Sequence, residues 1–327
     1  MASSNGSNDS NDDREDDDAE VTLRPLRADE VESAARFWAL DMGFDVGVNL
    51  FNRWFRVDPD AFWVAVIGDR IVGTASATRQ TDSLYFVGTV GVAKSHRGRG
   101  LVRRLLSNLY SRCPDANFGL SAVPDCLSMY TRMGYVPVED TYAYIYVGRL
   151  DRDLVGVTTA TEKVTGTEEA ENPVRLLEVV SGDGRDTETD FLAYDERVHG
   201  FVRDVRLTLL NDPSGLVLEA RRAGKLVGFG KVQRNLRDGG AWFGPLYADD
   251  IEVARRIFDE LLSRFETEAR ISIYVILSEQ ARDIAESLLL RCIEKSPRCY
   301  LRPDAESLPP MDLSKLFAFD SLDFCLI

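Results

Sequence analysis

From Val21 onward, apolar and polar positions recur with a regularity that marks out elements one after another. VTLRPL reads as a short strand. Behind it, Val31, Ala34, Ala35 and Trp38 fall at helical spacing, with Asp29 placed as an N-cap. A second helical stretch, around Leu50 to Phe55, leads into the apolar run FWVAVI. A Gly68-Asp69 turn of the hairpin type, the run IVGTASATR, a polar connection from Gln80 to Ser83 and the run LYFVGTVGV then predict three antiparallel strands. In LVRRLLSNLYSRC, residues Leu101, Leu105, Leu106 and Leu109 share one helical face. Asn117 to Val123 reads as a strand, and Asp125 to Met133 as a helix closed by Gly134 in a C-cap role. Thr141 to Val147 follows as an alternating aromatic strand. The predicted order is β-α-α-β-β-β-α-β-α-β.

Residues 149–173 are rich in Thr, Glu and Gly with weak periodicity, as in a linker. Beyond them the first pattern repeats. RLLEVV reads as a strand, with helical stretches around Phe191 and from Val202 to Leu210. Strands GLVLEAR, LVGFGKVQ and AWFGPLY come next, then a helix from Asp250 to about Thr267, strand ISIYVIL, a helix from Gln280 to Arg291 and a short apolar stretch ending near Leu301. The repeated order points to a duplication of one structural unit. The domains expected are an acidic tail (1–20), a first domain (21–148), the linker (149–173), a second domain (174–303) and a C-terminal extension (304–327). The fold class expected is α/β (α+β), with two tandem units, each a mixed, mostly antiparallel sheet flanked by helices.

Composition narrows what such a chain does. At 327 residues, 44% hydrophobic and 28% charged, it has the make-up of a globular protein of about two domains. No run approaches the roughly 18 apolar residues of a membrane span, so a cytoplasmic protein is expected. The net charge of −15 argues against a nucleic-acid or anionic-membrane partner. Eight acidic residues lie within Met1 to Glu20 among Ser, Asn and Gly, a composition that stays disordered. Five scattered cysteines without a CxxC pair exclude a disulfide framework and a zinc knuckle. With two histidines, His96 and His199, and no ligand cluster, no metal is expected.

The chemistry concentrates where a strand ending at Val92 runs through AKSHRGRG into a helix. A helix start offers unsatisfied N–H groups and a partial positive charge, and glycines let the backbone close on a pyrophosphate. Arg97, Arg99, Arg103 and Arg104 add counter-charge. The stretch VGTVGVAKSHRGRGLVRRLL resembles the acyl-CoA-binding motif of the GNAT family of N-acetyltransferases, in which Arg or Gln is followed by two residues, Gly, one residue, and Gly or Ala. Arg97 and Gly100 match, and Val102 stands where the family has a small residue. SAVPDCLSMYTRMGYVPV resembles that family's later strand and helix, with Tyr130 at its recurrent tyrosine and Gly134-Tyr135 where Gly-Phe is common. The resemblance spans residues 21–148.

What the resemblance implies is direct acyl transfer while both substrates are bound, with acetyl-CoA as the expected donor. The cofactor contacts expected are Val90, Gly91, Val92, Arg97, Gly98, Arg99, Gly100, Leu101 and Val102. An amide near Gly91 or Val92 would meet the developing oxyanion, and Tyr130 would protonate the departing thiolate. A tyrosine with an ordinary pKa near ~10 suits that task. Many relatives carry a carboxylate in the strand equivalent to Leu84 to Val92, and this chain has none there. Asp41, Asp45 and Asp82 are the candidate bases, and His96 is expected to pack on the cofactor or face solvent.

The second half reads FGPLYADDIEVARRIF at the equivalent junction. Asp249 and Asp250 there would cap the helix and repel a pyrophosphate. Ala254, Ile257, Phe258, Leu261, Leu262 and Phe265 form the apolar stripe of that helix. An intact motif followed by a degenerate copy resembles a tandem subgroup of the family, and the resemblance implies that Asp195, Arg203 and Tyr247 line an acceptor site. A small-molecule amine is the expected acceptor, with a protein amine as the second option. The alternative activity is that of a non-catalytic CoA-binding sensor or scaffold, motivated by Val102 and the missing strand carboxylate.

Overall fold

The computed structural model describes residues 20–43, 48–151, 173–179, 187–202, 215–234, 240–265, 269–276, 279–303, 311–319 and 321. The acidic tail up to residue 19, most of the 149–173 stretch, the helical stretch read at 203–210, Asp45 and Arg203 lie outside these residues. The described chain forms two compact units. One comprises residues up to Ala77 together with Thr89–Pro114, and the other comprises Thr78–Gly88 together with the residues from Asp115 onward.

In the first unit, β1 (Thr22–Pro25), β2 (Phe62–Ile67) and β3 (Arg70–Arg79) pair antiparallel in sequence order, and β4 (Leu84–Val92) follows β3. Gly68, at φ +57, makes the hairpin between β2 and β3. Helix α1 (Val31–Leu40) buries Val31, Ala34, Ala35 and Trp38, the stripe read from its spacing, and Phe37 as well. The start of α1 differs from expectation. Asp29 lies inside a 3-10 turn, Ala28–Glu30, and the helix follows it without a side-chain cap. Glu30 takes the organising role, because its carboxylate accepts the Arg27 backbone N–H at 3.1 Å and a forked pair from Arg24 at 2.6 and 2.7 Å. That fork holds the Glu30 carboxyl below its ordinary pKa. Helix α2 (Val48–Val57) packs on α1, and α3 (Leu101–Tyr110) lies against β2. Leu101, Leu105, Leu106 and Leu109 are all buried, as their spacing predicts.

In the second unit the strand order is β4, β5 (Asn117–Ser121), β12 (Arg291–Tyr300), β6 (Val136–Arg149), β11 (Arg270–Ile276), β10 (Ala241–Ala248), β9 (Lys225–Arg234), β8 (Gly215–Arg222) and β7 (Arg175–Glu178). Among the described residues of this unit, only β4 with β5 and β10 with β11 are parallel. The helices here are α4 (Leu127–Arg132), α5 (Thr187–His199), α6 (Ile251–Leu262) and α7 (Glu279–Ser287). The sheet's two faces follow the strand alternation. Gly228 and Gly230 of β9 meet Val253 and Ile257 of α6, while Phe229 between them stacks on Phe191 and Tyr194 of α5 at 4.6 and 5.7 Å.

Two findings correct the sequence expectations. Helix α7 ends at Ser287 rather than Arg291, with Leu289 in the left-handed region at φ +55, and a ten-residue strand β12 begins at Arg291. This strand inserts between β5 and β6, while β6 pairs along all seven residues of β11. A strand from each half of the sequence is thus built into the sheet of the other, and neither half closes on its own. Within the expected extension, Leu316–Ala318 forms a further strand, β13, paired with β10.

Gly91 shows why one strand position excludes a side chain. A Cβ there would lie 2.5 Å from Trp38 Cζ3 and 2.9 Å from Met42 Cε, so β4 and α1 approach as closely as they do only over a bare backbone. Gly91→Ala is expected to destabilise the protein by about 1–3 kcal/mol, read by urea unfolding. Trp38→Leu placed in the Gly91→Ala background should restore part of the loss, whereas the same change in the natural protein should only destabilise.

Candidate active site

The strand-to-helix junction of the first unit is built by successive local constraints. β4 ends at Val92, and the Ala93 N–H donates to Val72 O at 2.8 Å, which fixes the exit from the sheet. A 3-10 turn, Lys94–His96, follows, and the Arg97 Nε donates back to Val92 O at 3.1 Å. Gly98 at φ +81 and Gly100 at φ +72 then stand in the left-handed region on either side of Arg99, and Gly100 is the N-cap of α3. A residue with a Cβ is strained in that region, which is why glycine is required twice.

The arrangement leaves the start of α3 able to take an anion. Gly100 has no side chain to cap the helix, and the first turn carries no acidic residue. Arg97, Gly98, Arg99, Gly100, Arg103 and Arg104 are exposed, Leu101 is buried as the first core residue of the helix, and Val102 is half-buried. A Cβ added at Gly98 or Gly100 would meet nothing within 4 Å, so the space beside the glycines is open. Uncapped amides, the helix dipole and guanidinium groups together favour a phosphate. These residues fit the pyrophosphate of a CoA thioester.

Just upstream, β4 departs from strand geometry at Thr89, which stands at φ +45. A β-branched residue there is a genuine outlier, costing on the order of 1–3 kcal/mol unless neighbours impose it. Here two buried hydroxyls from β3 do so. Thr74 Oγ1 donates to Thr89 O at 2.6 Å, and Thr89 Oγ1 donates to Ser76 Oγ at 2.9 Å. Thr74, Ser76 and Thr89 are at most 3% exposed. In a trans peptide the C=O and the following N–H point in opposite directions, so anchoring the Thr89 carbonyl on Thr74 aims the Val90 N–H away from Thr74. No reading of the sequence singled out this network, because Thr74 and Ser76 on β3 meet Thr89 only once the strands are paired.

The other candidates sit on several different elements. Tyr130, on α4 in the second unit, is buried and stacks edge-on against Tyr135 at 5.8 Å; its carbonyl accepts from Met133 and Tyr135 N–H at 2.9 and 3.1 Å. Gly134, at φ +97, makes the turn out of that helix, as expected. Asp41 lies exposed at the end of α1, and Asp82 is exposed and paired with Arg79. His96 is buried, with Nδ1 2.8 Å from Ser95 Oγ, and does not face solvent. Asp195 and Tyr247 are buried, joined through His199 Nε2 at 3.6 and 2.9 Å, so they form an internal polar contact rather than an open lining. Among the described residues no group of three or more His, Cys, Asp or Glu is placed to hold a metal, and no helix is long and apolar enough to cross a membrane.

The equivalent junction in the second half lacks the loop. β10 ends at Ala248 and α6 begins at Ile251, against eight residues between Val92 and Leu101. Asp250 caps α6 by accepting the Val253 N–H at 2.8 Å. A carboxylate thus occupies the helix start that an anion would need.

This arrangement of sheet, loop and helix defines a class of acyl-transfer proteins. The family profiles of the Acetyltransferase (GNAT) family and of a GNAT acetyltransferase domain match residues 26–135 and 191–310. The chain belongs to the GNAT acetyltransferase family and carries two of its domains in tandem. A curated relative, holothin acyltransferase of Pseudoalteromonas sp. (strain SANK 73390), is 24% identical over 248 residues, 72% of each chain. A protein of Pyrococcus horikoshii of known crystal structure superposes with a TM-score of 0.68 at 17% identity, over 93% of this chain and 96% of its own. A tandem GNAT protein from the clavulanic acid biosynthesis pathway does so with a TM-score of 0.61 at 13% identity, over 87% of this chain and 100% of its own. Both share the fold.

Two expectations follow from the junction. Gly100→Glu puts a carboxylate at the helix start and should weaken CoA binding at least about 100-fold by calorimetry, while Gly100→Asn, which tolerates the left-handed region, should stay within about tenfold of the natural protein. Equal affinity for the glutamate variant would remove the phosphate assignment. Thr74→Val should lower stability by about 1–3 kcal/mol in urea unfolding by removing the hydroxyl that donates to the Thr89 carbonyl, with Thr74→Ser close to the natural protein.

Proposed function

We propose that this protein transfers an acyl group, acetyl in the first instance, from CoA to a primary amine while both substrates are bound. The observation that carries the reading is the uncapped start of α3, with two left-handed glycines and an arginine cluster directly after β4. The family supports acyl transfer, and the name of the curated relative states acyl transfer for that protein. CoA supplies an activated thioester. The neutral amine nitrogen forms a bond to the carbonyl carbon, the carbon–sulfur bond breaks, and no covalent enzyme intermediate is required.

In this reading the loop from Arg97 to Val102 holds the pyrophosphate, and the amides of Val90, Gly91 and Val92 bind the pantetheine and the oxyanion. The aim of the Val90 N–H, away from Thr74, favours it as the oxyanion donor. Tyr130 gives its proton to the departing thiolate. The amine's own proton passes to solvent, since β4 carries no carboxylate and the described candidates Asp41 and Asp82 are exposed. The net charge of −15 favours approach of a cationic small-molecule amine over an anionic one. A cytoplasmic location remains an expectation from composition.

The test is calorimetry with acetyl-CoA and free CoA, followed by thiol release against mixed amines. Release with one class of amine, saturable in both substrates, is the expected outcome; binding without release across the screen would favour the sensor reading. For Tyr130→Phe, kcat should fall about 10- to 100-fold with the CoA Kd unchanged, and an unaltered kcat would remove the acid role.

A further inference from the structure

The parallel strand pairs give the two halves a common register. β4 and β5 pair over Leu84–Phe86 with Asn117–Gly119, and β10 and β11 over Ala241–Phe243 with Ile271–Ile273. Setting Leu84 on Ala241 places Thr89 and Val90 on Leu246 and Tyr247. Both strands are irregular at that point: Thr89 is left-handed, and the β10 pairing with β9 shifts between Phe243 and Leu246. The stretch Leu246–Tyr247 is therefore the second half's counterpart of the strand edge that carries the candidate pantetheine amides of the first.

One edge of β10 is paired with β9 before and after the shift. The other edge pairs with β11 only as far as Phe243, and beyond it β13 takes over, antiparallel, with Leu246 opposite Ala318 and Tyr247 opposite Leu316. The side chains of this segment sink into both cores. Phe317 and Ala318 join the cluster around Leu246, Ile273 and Ile284, whereas Leu316 and Phe319 join that of Tyr247, Tyr194 and Phe229; all four are 1% exposed. The segment is also held at its leading end. The Asp312 N–H donates to Val198 O at 2.7 Å, and Lys315 Nζ donates to Asp249 Oδ1 at 3.1 Å.

We propose that the second half holds a peptide-binding groove, formed by the edge of β10 after its irregularity, that takes an extended apolar strand preceded by a cation and is filled in cis by Asp312–Phe319. Backbone pairing to Leu246 and Tyr247 supplies affinity, as in other strand-addition sites. The pockets for Leu316, Phe317 and Phe319 and the Asp249 carboxylate select the sequence. The groove uses the strand edge equivalent to Thr89 and Val90 in the first half, so the second half is a strand-binding module built on the same frame. This inference does not depend on the reaction proposed above.

The experiment uses the full chain. Phe317→Asp should expel the segment, and a fluorescein-labelled peptide of residues 311–321 should then bind that variant with micromolar affinity while leaving the natural protein unbound. The same peptide carrying Lys315→Ala should bind the variant about tenfold more weakly. Absence of peptide binding to a folded Phe317→Asp variant, or equal binding of the Lys315→Ala peptide, would overturn the groove or its charge selectivity respectively. Should that variant fail to fold, hydrogen exchange on the natural protein decides. Protection of Leu316 and Ala318 amides at the level of β10 is expected, and exchange of 312–319 at coil rates with β10 still protected would overturn the proposal.

Discussion

A helix start leaves several amide groups without partners inside the helix, and what is offered to them separates the two halves of this protein. In the first half the N-cap is a glycine in the left-handed region, no side chain caps the helix, and exposed arginines flank it in the sequence. In the second half Asp250 answers from two residues beyond the strand. The same strand-to-helix frame is thus open to an anion in one place and closed by a carboxylate in the other. Length matters as much as charge, because eight residues between β4 and α3 give the backbone room to make two left-handed turns, and two residues between β10 and α6 do not.

The strand edges follow the same division. Each parallel pair holds for three residues, and the strands then need another source of hydrogen bonds. β10 finds it in β13. Within the first unit, the left-handed Thr89 has its carbonyl and hydroxyl engaged by Thr74 and Ser76, which hold the irregular backbone through buried hydroxyls. An irregularity in a strand is held by side chains from its neighbour, and its cost is offset within the same few residues.

Strand exchange explains why the duplication visible in the sequence does not produce two closed bodies. β12 sits between β5 and β6, and β6 pairs with β11 along its length. Cross-strand packing ties the exchange together: Lys295 of β12 lies over the rings of Tyr142 and Tyr144 on β6 at 3.9 and 5.6 Å, and Arg298 lies over Phe86 at 4.8 Å. Tyr146 on the same strand donates to Glu286 of α7 at 2.8 Å.

What the sequence determined by itself was local. Apolar periodicity set the helix stripes of α1, α3 and α6, apolar runs between turn and polar residues set β2, β3 and β4, and Gly98 and Gly100 among arginines marked the junction, because spacing and backbone freedom are properties of a few adjacent residues. The polar run EKSPRC, with a proline inside it, hid β12, and LFA was too short to announce β13. Which strand lies beside which, the burial of His96, Asp195 and Tyr247, and the left-handed turn at Thr89 were decided by the tertiary structure. Strand edges are filled by partners far away in the chain, and a hydrogen bond between residues 15 positions apart, such as Thr74 to Thr89, leaves no periodic trace in either segment.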